Sequence, residues 1–135
     1  MELDKLKEQF LVDDDVRTER LEQLIRQALP HCVVDRKGGV HLRGPDRSGK
    51  DQVKLVLAGR LVASKLDEAV SSDVSVDQLA EYTGLPKNQA AARAKECLDE
   101  KFAERSARGS YKARVNKVEE FLNALSSGTP GGVRP

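Results

Sequence analysis

The chain has 135 residues, enough for one compact domain with a short appendage, and 39% of them are hydrophobic, which suits a buried core. Lys and Arg total 23 against 22 Asp and Glu, a net charge of +1, so any nucleic-acid surface must come from local clustering. No stretch approaches the ~18 apolar residues of a membrane span, "MELDKLKEQFLVDDD" lacks a signal peptide's apolar centre, and Cys32 and Cys97 have no paired spacing, so a reducing, cytoplasmic setting is expected.

Aromatics are scarce, at 4% with no Trp, which leaves Leu, Val and Ala to fill the interior and favours helices. Leu3, Leu6, Phe10 and Leu11 follow helical spacing, and the acidic run Asp13–Asp15 can cap a second helix. That helix carries Leu21, Leu24, Ile25, Ala28 and Leu29 as an amphipathic stripe and stops at Pro30. "CVV" and "VHLR" then flank "DRKGG", whose glycines permit a tight hairpin. Two short amphipathic helices cannot bury their faces alone, so residues 1–47 read as a helical and hairpin extension, or as a dimerisation arm.

"DQVKLVLAGRLVASKL", Asp51 to Leu66, is apolar round most of its circumference and reads as a central buried helix. Gly59 inside it costs roughly 1 kcal/mol of helix propensity, which suggests the close approach of a neighbour. After a loop, "DEAVSSD", Ser75 with Gln78 forms a capping box. The short helix that follows ends at Gly84, and Pro86 is expected as the first residue of the next helix, which runs to about Glu100. "FAERSARGSYKAR" is a hairpin turning at Arg108-Gly109. "VNKVEEFLNAL" is a last helix with Val118, Phe121, Leu122 and Leu125 on one face, and residues 127–135 have no apolar periodicity and are expected to be disordered.

"GPDRSGKD" nearly matches a phosphate-binding loop. Gly44, Gly49 and Lys50 fit, but Asp51 replaces the Ser or Thr that would ligate magnesium and sets a carboxylate against an anionic ligand. Ser48 to Asp51 reads better as a capping box for the central helix. His31, Cys32 and His41 lack metal-ligand spacing, and neither Cys has a His or Asp partner arrangement. The expectation is a chain with no enzymatic activity, no cofactor and no metal.

From Asp51 to about Leu125 the order is long helix, short helix, tight turn, helix, hairpin, helix. With Gly84 at the turn, Leu85 after it and Phe102 opening the hairpin, "VSVDQLAEYTGLPKNQAAARAKECLDEKFAERSARGSYKA" resembles the winged helix-turn-helix superfamily of prokaryotic and archaeal transcription regulators, over residues of about 50–126. The resemblance implies a mainly α fold with small β-hairpins: a winged helix domain, residues 48–126, behind the N-terminal extension. It implies a recognition helix in the major groove, opened by Lys87, Asn88 and Gln89 with Arg93 one turn on, residue types that read adenine and guanine edges. Ala90, Ala94 and Cys97 would then face the core.

Arg105, Arg108, Lys112, Arg114 and Lys117 fall in a stretch without an acid, a phosphate-contacting wing in an otherwise balanced chain. Arg36, Lys37, Arg43, Arg47 and Lys50 form a second basic group. Against DNA stand the bland Ala91 and Ala92, and the acidic Glu96, Asp99 and Glu100. The expected partner is double-stranded DNA, bound by a homodimer in transcription regulation. The alternative is a protein partner, with the same fold serving as an adaptor.

Overall fold

The structure, a computed structural model, describes residues 2–10 and 18–126. The acidic run at 13–15 and the tail 127–135 lie outside the described residues. In chain order the elements are α1 (Glu2–Phe10), α2 (Thr18–Ala28), β1 (Cys32–Val34), β2 (Val40–Leu42), α3 (Gly49–Leu66), β3 (Val74–Ser75), α4 (Val76–Thr83), α5 (Lys87–Asp99), β4 (Ala103–Ala107), β5 (Ser110–Ala113) and α6 (Val115–Ser126). The chain is mainly helical with two small antiparallel sheets, β1-β2 and β3-β5-β4.

α3 is the centre because its apolar residues leave it no polar face. Val53 and every residue from Leu55 to Val62 are buried. Ser48 caps it, its hydroxyl accepting from the Asp51 N–H at 3.1 Å, which is the hydroxyl half of the expected box. The close approach expected at Gly59 is found: an added Cβ would lie 3.2 Å from Cys32 Sγ and 3.4 Å from a Val34 methyl. The missing side chain lets the β1–β2 hairpin lie directly on the helix.

The next residue, Arg60, is the buried charge of the molecule's described part, only 5% exposed. Its guanidinium donates to three backbone carbonyls: Gly38 in the hairpin turn at 2.9 Å, Ser71 at 2.7 Å and Asp73 at 2.9 Å. One side chain thus ties the extension to the loop that leads into β3. The turn it grips is shaped locally. The Asp35 carboxylate accepts from the N–H groups of Lys37 and Gly39 at 2.9 Å, and Gly38 takes a φ of 90°.

α2 packs against α3 and α6, where Arg20 Nε donates to Glu119 at 2.8 Å. Leu24, Ala28, Cys32 and Val40 join one hydrophobic core with α3, α4, α5 and α6. The extension's second helix and hairpin therefore sit on the same core as the rest.

β3 is absent from the sequence reading. Two residues carry no alternation pattern, and Ser75 already serves as the cap of α4. The capping box is complete: Ser75 Oγ accepts from the Gln78 N–H at 3.1 Å, and Gln78 Oε1 accepts from the Ser75 N–H at 3.0 Å. Gly84 ends α4 with a φ of 80°. Pro86 departs from expectation. Its ψ of 148° is extended, so it stands as the N-cap and Lys87 is the first helical residue.

α5 closes in a Schellman arrangement, with the Phe102 N–H on the Cys97 carbonyl and the Lys101 N–H on that of Leu98. Lys101 occupies the left-handed position, at φ 64°, where glycine is at ease and a lysine is strained. Its side chain is exposed. Lys101→Gly is therefore expected to raise stability by about 0.5–1 kcal/mol in urea denaturation, the relief of strain exceeding the extra entropy of the unfolded glycine.

Candidate nucleic-acid interface

α5 takes its orientation from three small buried residues. Ala90, Ala94 and Cys97 are fully buried, at i, i+4 and i+7, and lay the helix closely against α3 and α4. That fixes which residues turn outward. Lys87, Asn88 and Gln89 are all exposed on the first turn. Ala92 and Lys95 continue the exposed strip from Asn88 at i+4 and i+7. Lys95 adds a cation to that strip, and its spacing from Asn88 is visible in the sequence.

Two of the expected contact residues have acidic partners. Lys87 Nζ lies 2.9 Å from Asp77 at the start of α4, with both side chains well exposed. Such a surface pair contributes little to stability and opens readily to a competing phosphate. Arg93 differs. It lies against Gly49 at the start of α3, pairs with Glu96 at 3.3 Å, and its Nε is buried without a hydrogen-bond partner among the described residues. The structure brings Lys87, Asn88 and Gln89 together and draws Arg93 to the side.

Glu100, the C-cap of α5, is held by two lysines of α3. Lys50 and Lys54 reach Glu100 at 2.6 and 3.0 Å. The hydrogen bond from Lys50, then that from Lys54, holds the Glu100 carboxyl below its ordinary range. Lys54 also stands over the rings of Phe102 and Phe121, 5.2 and 5.7 Å from their centroids, and these two rings meet edge to face at 5.6 Å. The Glu100 carboxylate is thus held by two cations. Asp99 stays exposed.

The β4–β5 hairpin follows α5 after three residues. Register decides which of its cations are available. Glu104 lies opposite Lys112, so the two project from the same face and the wing is less purely cationic than residues 105–117 imply. Arg105 lies opposite the buried Tyr111, its guanidinium carbon 5.8 Å from the ring centroid. Tyr111 pairs its backbone with Val74 of β3 and belongs to the core, which is a structural role and not a base-stacking one. Arg108 at the turn and Arg114 beyond β5 are exposed, and neither pairs with an acid among the described residues. Lys117 lies 3.8 Å from Glu120.

Three cations of the second basic group, Arg43, Arg47 and Lys50, are committed to contacts within the fold. Arg43 Nε donates to the Leu29 carbonyl at 2.8 Å, and Arg47 donates to the Arg43 carbonyl at 3.0 Å and also meets His31 Nδ1. Burial, and then the Arg47 charge, lower the His31 pKa. Lys50, the expected phosphate ligand of "GPDRSGKD", is held by Glu100, and the strand before that loop is an arm of an antiparallel hairpin. Burial pushes the Cys32 thiol up to about 11 and the Cys97 thiol up to about 12, so both are protonated at neutral pH.

Among the described residues, no helix is long and apolar enough to cross a membrane, and no three His, Cys, Asp or Glu side chains are grouped as metal ligands would be. No family model, no curated protein and no solved structure matches the chain.

Proposed function

We propose that this chain binds duplex DNA as a winged helix protein in transcription regulation, with α5 in the major groove and the β4–β5 hairpin on phosphates. The observation that carries the reading is the joint exposure of Lys87, Asn88 and Gln89 on one helical turn and of Arg108 and Arg114 on the following hairpin. The connectivity supports it too. α3, α4 and α5 are followed by a hairpin, and β3, between α3 and α4, adds to that hairpin beside β5. Helix N-termini favour phosphate oxygens, and the Asn and Gln side chains offer the paired donor and acceptor that adenine's major-groove edge requires.

A titration of labelled duplex against protein over a range of salt tests this. About five phosphate contacts predict a log–log slope near −4.5, so a fourfold rise in salt weakens binding several hundredfold. An absence of binding at low salt would sink the reading. It would favour the adaptor alternative, which has its own support in the acidic partners of Lys87 and Arg93.

A further inference from the structure

We propose that α1 of one chain docks in an apolar groove of a second copy, in a reciprocal exchange that makes a closed dimer. α1 sets Leu3, Leu6 and Phe10 along one face at i, i+3 and i+7, and they are 70%, 53% and 87% exposed. A nine-residue helix has too little intrinsic stability to keep such a stripe in water, and holds its form by covering it.

The same chain carries a surface of matching shape. A groove of about 200 Å³ lies between α2, β1 and α3, and no residue of α5 lines it. Its α3 edge is Gly59, Val62, Ala63 and Leu66, at i, i+3, i+4 and i+7. The α1 stripe is about 10.5 Å long, seven rises of an α-helix. Ala63, with its small side chain, leaves the hollow part of the edge, beside Gly59 where the hairpin already lies on the helix. Leu66, Leu29 and Val33 on the rim are 60%, 45% and 37% exposed, apolar surface that a docked helix would cover.

Area favours the exchange over a single docking. At on the order of 100 Å² for each large side chain fully covered, one docking removes about 350 Å² of apolar surface and the reciprocal pair about 700 Å². With the usual apolar share near 57%, the pair buries roughly 1,200 Å² in total, where stable two-fold interfaces begin. The exchange is isologous and closes on itself, so it stops at two chains. It uses no residue of α5 or of the β4–β5 hairpin.

Sedimentation equilibrium at about 100 µM tests the exchange. The expected mass is twice the 14.9 kDa of one chain. Leu3→Ser/Phe10→Ser and, separately, Leu66→Ser should each weaken self-association at least tenfold and give monomer, with the helical circular dichroism of the rest preserved because these side chains are exposed. A monomeric wild type overturns the inference, and so does a dimer that survives either variant. A monomeric wild type whose melting temperature falls in Leu3→Ser/Phe10→Ser marks docking within one chain, and likewise overturns the exchange. Duplex binding by such a monomer would leave the proposed function standing.

Discussion

Replacing Arg60 by Met is expected to lower the unfolding free energy by about 3 kcal/mol, a large share of the 5–15 kcal/mol typical of a domain. Met keeps the apolar stem and the volume, so the change isolates the guanidinium. Three carbonyls, of Gly38, Ser71 and Asp73, lose a charged donor. Hydrogen bonds to charged groups are worth about 1.5–3 kcal/mol each, but those to Ser71 and Asp73 are only partly buried, and water replaces some of what is lost. In a thermal melt the fall should be roughly 10 °C or more. Hydrogen exchange should accelerate most at β1, β2 and the 67–73 loop, the segments that Arg60 joins. A loss below about 1 kcal/mol would show that the hairpin is held by its apolar contacts with α3 alone.

The second large effect concerns the hairpin. Arg108→Ala/Arg114→Ala should reduce the salt slope of duplex binding by about two, and weaken affinity about sixtyfold at 0.1 M salt. The figure follows from counterion release. Each phosphate contact contributes about 0.9 decades of affinity per tenfold dilution of salt, so two contacts give about 1.8 decades between 1 M and 0.1 M. Both residues are exposed without acidic partners among the described residues, so the melting temperature should stay within a degree or two. Lys112→Ala makes the internal comparison. Glu104 opposite it already offsets its charge, so its loss should cost less than that of either arginine. Equal losses for all three would mean that total charge matters and their placement does not.

Some of this surface was legible in the residues. Lys87, Asn88 and Gln89 follow directly on Pro86 and precede the alanine pattern that buries the helix, so local chemistry settled which side turns inward and placed the start of α5 to within one residue. What α5 does with Arg93 was not legible. Helical spacing placed it near the outward face and three residues from Glu96, but only tertiary packing lays its stem against Gly49 of α3. The wing is similar. A run of cations without an acid is visible in the string, while the acid opposite Lys112 is visible only once the strands are in register.

By itself, the sequence determined the elements that rest on contacts a few residues apart: the buried stripe of α3, the capping box at Ser75, the left-handed end at Gly84, the reversal at Gly109. It also marked Gly59 as a place of close approach, because a helix interior rarely tolerates glycine without one. Tertiary structure alone decided what meets across long separations. It added β3 to the hairpin, set Lys50 and Lys54 on Glu100, and placed Arg60 on carbonyls 11, 13 and 22 residues away. The physical reason is that helix and turn energies are local and read from neighbours, whereas charges and edge strands are satisfied by whatever the packed core brings within reach.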